Sequence, residues 1–107
     1  MIAVIFEVVL DEKNKAVYFK AAEHLKSELF QIKGFISIER FQSVKNSNKL
    51  LSLSFWENEE AIYQWREQEQ HRNAQELGRA RLFQDYRLRV AQVIRDYGKE
   101  DRDEAPQ

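Results

Sequence analysis

The run Ile2-Ala3-Val4-Ile5-Phe6-Glu7-Val8-Val9-Leu10 limits the fold more than any other stretch of the chain. It is rich in β-branched residues, which predicts a strand over residues 2–10. Side chains alternate between the two faces of a strand. The set Ile2, Val4, Phe6, Val8 and Leu10 is wholly apolar, and the opposite set is apolar at Ala3, Ile5 and Val9. A strand that faces water on one side alternates apolar with polar residues. This strand therefore needs cover on both sides.

The next elements follow from spacing. Tyr18, Ala22, Leu25, Leu29 and Ile32 recur at steps of four and three, which predicts a helix over residues 13–32. Asp11 and Asn14 stand where they can cap it, and Gly34 sits just past its end, where a left-handed cap favours glycine. Residues 35–44 predict a second strand, with Phe35 and Phe41 on one side and Ile36 and Ile38 on the other. Lys45-Asn46-Ser47-Asn48-Lys49 is a turn by composition, and residues 50–57 complete a hairpin. Asn58 suits an N-cap, and Glu59 and Glu60 suit the positive end of a helix expected over residues 59–80. From Arg66 to Asn73 that helix is polar apart from the His71 ring, which predicts a break near residue 70. Residues 83–97 predict a long fourth strand, with Tyr86, Leu88, Val90 and Ile94 opposite Ala91 and Val93. Residues 99–107 have almost nothing to bury and are expected to be a disordered charged tail. The order βαββαβ, with right-handed crossovers, gives a ferredoxin-like α+β domain over residues 1–98. Its four-stranded antiparallel sheet carries both helices on one face.

Composition removes several function classes. The 17 basic and 18 acidic residues leave a net charge of −1, so no basic excess points to nucleic acid. There is no cysteine, which excludes disulfides, thiolate nucleophiles and Fe–S clusters. No stretch approaches the roughly 20 apolar residues of a membrane span. Residues 2–10 contain Glu7 and lack a basic flank and a cleavage site, so they read as a strand and not a signal peptide. A cytoplasmic location is expected. Because the face away from the helices is also apolar, a second copy is expected to cover it, making a homodimer that encloses a barrel.

Candidate chemistry concentrates in the second helix. His71 is the better placed of two histidines, and its ring can trade protons near neutral pH. His24 lies in a charged helical face and reads as surface. No histidine pair has metal-ligand spacing, so no metal site is expected. Trp65 falls with Ala61 and Ile62 on the apolar face, where it packs in the core or walls a planar ligand. Trp56 reads as core or interface. Arg87 and Arg89 share one strand face and can hold an anion. The competing reading pairs them with Glu7, Glu39 or Asp85 across strands. Gln75 either binds a ligand or faces solvent.

Phe55-Trp56-Glu57, followed by Trp65, His71, Gln75, Gly78-Arg79, Tyr86 and Val93-Ile94-Arg95-Asp96-Tyr97, resembles the antibiotic biosynthesis monooxygenase family of the dimeric α+β barrel superfamily. The resemblance covers nearly all of residues 1–98 and is most specific over residues 50–80. It implies a homodimer that binds a small molecule between sheet and helices. Members include cofactor-free oxygenases of polycyclic phenols and quinones, and haem-degrading monooxygenases. The haem-degrading pattern has an Asn on the first strand, a Trp on the second helix and a His ten residues later. Here Trp65 matches, Gln75 stands at the His position and Glu7 at the Asn position. Haem is therefore disfavoured by Gln75 and Glu7. The resemblance implies a monooxygenase that oxidises a planar apolar molecule with O₂ and no bound cofactor. His71 would be its acid/base, with Trp65, Gln75, Tyr86 and Arg89 binding substrate. The alternatives are a haem-degrading enzyme with an atypical ligand set and a non-enzymatic binding dimer.

Overall fold

The structure is a computed structural model that describes residues 1–75 and 83–106, the side chains of 69–75 lying outside that description. Its elements run β1 (Ile2–Leu10), α1 (Glu12–Leu29), β2 (Phe35–Gln42), β3 (Lys49–Trp56), α2 (Glu59–Gln75) and β4 (Phe83–Gln92). The strands form one antiparallel sheet in the order β2-β3-β1-β4. This is the ferredoxin-like arrangement, with the two most apolar strands, β1 and β3, at its centre.

Local chemistry sets the ends of the elements. Asn58 caps α2, its Oδ1 accepting the Ala61 amide at 3.0 Å. Asp11 occupies the N-cap position of α1 with extended backbone, but its carboxylate makes no capping bond. Gln84 of β4 donates to it instead, tying the start of β4 to the end of β1. Helix α1 stops at Leu29, short of the expected residue 32. Gln31 and Ile32 donate to the carbonyls of Glu28 and Leu29, tightening the last turn and still burying Ile32. Helix α2 runs unbroken from Glu59 to Gln75, so the expected break near residue 70 does not occur.

The core has two parts at opposite ends of the helix-covered face. Ile2, Leu29, Ile32, Trp56, Ala61 and Ile62 form one, with Val4, Phe35, Ile38 and Trp65 packed against it. Val8, Leu10, Tyr18 and Leu50 form the other, with Phe6 and Phe83 alongside. Trp56 is buried, and its ring N–H donates to Ser54 Oγ at 2.9 Å. Its place in the core matches the expectation.

Two irregularities redirect side chains. The β2–β3 register shifts between Phe35 and Ser37. An extra residue in a strand lets positions three apart face the same way. Phe35 and Ile38 therefore both reach the core, and Phe41 points to the other face. The expected grouping of Phe35 with Phe41 is corrected by this bulge. A second shift, between Val9 and Leu10, does the same for Phe83 and Tyr86 of β4. Strand β4 ends at Gln92, not at residue 97, because its ladder with β1 ends at the Ile2–Gln92 pair. One further bond joins the Val93 amide to the Met1 carbonyl at 3.0 Å. Where the stretch expected to be a disordered tail begins, the Gly98 amide donates to the Asp101 carbonyl at 2.7 Å, and the Arg102 guanidinium lies 5.2 Å from the Tyr97 ring centre.

Candidate functional site

Register decides which candidates share a surface. Val4 pairs with Val90, Phe6 with Leu88 and Val8 with Tyr86. Paired residues point to the same face of an antiparallel sheet. Val8 and Phe6 belong to the helix-side core, so Tyr86, Leu88 and Val90 face the helix side too. On that side Tyr86 remains 60% exposed, and Leu88 and Val90 each 44%. The helix side of β1 and β4 is therefore an apolar strip left open between the two core clusters.

Aromatic rings border this strip. Trp65, half-buried on α2, packs against the core cluster at one end. At the other end Phe6 meets Phe83 edge-on at 5.7 Å and Tyr86 at 6.0 Å, and Tyr18 meets Phe83 at 5.9 Å. The Tyr86 hydroxyl is the polar group that β4 adds to this wall. Such a surface can stack a planar apolar molecule and hydrogen-bond one oxygen of it.

Arg89 is not part of it. Arg89 pairs with Ile5, on the face turned away from the helices, and its Nη1 lies 3.2 Å from Glu7 Oε2. The cross-strand pairing is what the structure adopts, so Arg89 does not join Trp65 and Tyr86 in one pocket. Glu7 is likewise on the far face. The first-strand residues that face the helix side are Ile2, Val4, Phe6, Val8 and Leu10, all apolar. None offers the amide that the haem-degrading pattern places there. Gln75 carries no imidazole. Among the described residues no group of three or more His, Cys, Asp or Glu can hold a metal ion. Glu7 and Gln75 depart from that pattern by residue type.

His71 and Gln75 lie on the last turns of α2, where side chains are outside the described residues, as are Gly78, Arg79 and Arg81 altogether. His24 is exposed, as expected. Sequence reasoning missed Phe6 and Phe83 as site walls. The even set of β1 was visible, but which strand would flank it was not. Phe83 and Tyr86, three apart, fall on opposite faces of a regular strand, and only the bulge brings them together.

Comparison with known proteins places this geometry. A family model described as antibiotic biosynthesis monooxygenase matches residues 1–77. A jasmonate monooxygenase of Pyricularia oryzae is 42% identical over 93 residues, covering 87% of this chain and 43% of the relative. The chain thus spans less than half the length of that relative. A crystal structure from Deinococcus radiodurans assigned to the same family superposes with a TM-score of 0.77 at 11% identity, covering 92% of this chain and 97% of the other. A variant of MhuD with two manganese protoporphyrin IX groups per active site superposes with a TM-score of 0.72 at 18% identity, covering 92% and 99%. The two structures share the fold. No helix among the described residues is long and apolar enough to cross a membrane. The match over residues 1–77, together with the 42% identical relative, means that this chain belongs to the antibiotic biosynthesis monooxygenase family.

Proposed function

We infer that the chain is a monooxygenase that binds a planar, apolar small molecule on the helix side of β1 and β4 and oxidises it with O₂, without a bound metal or flavin. The observation that carries this reading is the open strip of Val4, Phe6, Leu88 and Val90, bordered by Trp65 at one end and Tyr86 at the other. Family membership and the jasmonate monooxygenase relative support an oxygenase.

The chemistry constrains the substrate. Without a cofactor the substrate must supply the electrons. A ring CH₂ activated by a neighbouring phenol or carbonyl does so: it loses two hydrogens and gains one oxygen atom, and the second oxygen leaves with those hydrogens as water. The step needing help is removal of the first proton to give a stabilised carbanion. His71 is the proposed base, Tyr86 orients a substrate oxygen and Trp65 shapes the pocket. Gln75 is proposed to bind substrate from the same helix. A second copy on the sheet's far face would close the molecule, in a cytoplasmic homodimer.

Oxygen uptake tests this with polycyclic phenols and jasmonate, each with and without NADH. Uptake with an activated phenol and no NADH is expected. An imidazole base is lost on protonation, so turnover should fall on the acid side of its pH profile. The variant His71→Ala should lose that limb and about 10²–10⁴ in turnover. Unchanged activity in His71→Ala would remove the assignment, and activity that depends strictly on NADH would remove the cofactor-free scheme.

A further inference from the structure

An open groove of about 570 Å³ lies away from the strip, at the edge of β2 beside α1. Phe19, Glu23 and Lys26 recur at steps of four and three, so they share one face of α1, and all three line the groove. Ile38 and Arg40 line it from β2. Register places both on the helix side of the sheet, since Ile38 pairs with Ser54 and Arg40 with Ser52, and both serines are buried on that side. The row of Arg40 and Ser52 continues to Phe6 and Leu88. Ser52 is only 7% exposed, so buried side chains close the row between Arg40 and the strip. Groove and strip are separate surfaces.

The charged groups of the groove are free. Glu23, Lys26 and Arg40 line it on the helix side, and Glu39 lines it from the other side of the β2 edge. Among the described residues the ion pairs are Lys15–Glu12 and Arg89–Glu7, and none involves these four. Arg40 departs further from the ordinary. It is half-buried, and its Nε is fully buried with no hydrogen-bond partner among the described residues. A buried donor on a cation is costly to leave unpaired, and such a group calls for an explanation. The Nε–H and the neighbouring Nη–H form the edge of a guanidinium that grips a carboxylate with two parallel bonds. Apolar contact comes from Phe19, 44% exposed, and from Ile38. Glu23, one turn along α1 from Phe19, adds an acceptor. A lining that mixes a ring, a forked donor and an acceptor suits a small amphipathic anion.

We propose that this groove binds a hydroxy-substituted aromatic carboxylate. Its carboxylate meets the Nε edge of Arg40 with Lys26 nearby, its ring rests on Phe19 and Ile38, and its hydroxyl donates to Glu23. Each free group then gains the partner it lacks: Arg40 and Lys26 an anion, Glu23 a donor. An acid without the hydroxyl would leave Glu23 unpaired beside a second negative charge. Buried Ser52 keeps the bound molecule off the strip, so this site stands outside the oxygenase chemistry.

The probe is 4-hydroxybenzoate, titrated calorimetrically into the full chain near neutral pH, with benzoate in parallel. A ligand this small should bind one per chain with a dissociation constant of about 1 mM. Benzoate should bind at least about fivefold more weakly, and Glu23→Ala should erase that preference. Arg40→Gln should raise the dissociation constant at least about tenfold. Arg40→Lys, which keeps the charge without the fork, should raise it about fivefold or more. Phe19→Ala, at an exposed position that leaves the core intact, should weaken binding about threefold or more. Arg87→Gln, on the far face of β4, should change nothing. Circular dichroism checks that each variant is folded. No saturable binding below about 10 mM, equal affinity for benzoate, or binding that Arg40→Gln and Phe19→Ala leave unchanged would each overturn the proposal. Binding lost in Trp65→Ala but kept in Arg40→Gln would move the ligand to the strip and overturn it as well. Arg40→Gln should keep the oxygen uptake of the parent, so the oxygenase reading stands or falls separately.

Discussion

Tyr63 stands 59% exposed on α2, one turn before Glu67. Its phenol donates to the Glu67 carboxylate, and that bond, then the charge of Glu67, then slight desolvation and the charge of Glu60, push its pKa up from 10.0. Each cause favours the neutral phenol. The group is therefore no source of phenolate near neutrality, although it is the exposed tyrosine of the helix that carries Trp65. Whatever the contact adds to stability is complete below pH 10 and fades as pH rises through the folded midpoint. Ultraviolet titration should find one tyrosine ionising above the others, and Glu67→Gln should bring its midpoint back toward 10. A tyrosine spectrum that titrates in one step near 10 in both proteins would count against the bond. The Tyr86 ring packs on Phe6 and Phe83 beside the open strip, which makes it the better candidate to touch a ligand.

At the scale of elements, the junction between α1 and β2 sets where α2 can sit. Gly34 has φ +94°, and a Cβ added there would lie 2.9 Å from the Cβ of Ala61, a buried residue in the first turn of α2. The Gly34 carbonyl also accepts the Glu57 amide at 2.7 Å, just before α2 begins. Gly34→Ala therefore meets both a strained backbone and a collision. It should cost about 2–4 kcal/mol. Urea unfolding measures this, and a loss below 1 kcal/mol would mean that the junction yields easily. Glycine at this position was legible from sequence as a helix end. Its contact with α2 was not, because spacing along one helix carries no information about the helix that packs on it. The same division runs through the sheet. Alternation in β1 gave its two faces correctly, since β1 is regular until Val9. It failed for Phe35 and does not extend to Phe83, where one extra residue reverses every later side chain. Bulges arise from how neighbouring strands fit, so a single strand's sequence does not display them. Arg89 took the cross-strand alternative for a related reason: the carboxylate it pairs with, Glu7, lies on the adjoining strand.

For the whole molecule, the face turned from the helices is where a second copy would sit. The face turned from the helices presents Ile5, Leu51, Leu53 and Phe55, half-buried and without a helix over them, around the Glu7–Arg89 pair. Apolar residues at the centre with one ion pair among them would give a covered face both adhesion and a fixed register. Leu53 lies opposite Ile5, near the middle of this field. Its side chain does not enter either helix-side core cluster, so Leu53→Lys should leave the monomer folded while placing a charge where a second copy would sit. Sedimentation should find the parent dimeric at micromolar concentration. Leu53→Lys should raise the dissociation constant about 30-fold or more, the weight of an interface residue worth 2 kcal/mol. His24→Lys, exposed on the outer side of α1, should leave it unchanged. Equal masses for parent and Leu53→Lys would move the interface off this face, and the helix-side strip would then be the remaining apolar surface able to hold either a ligand or a partner, a choice that oxygen uptake by the same variant would decide.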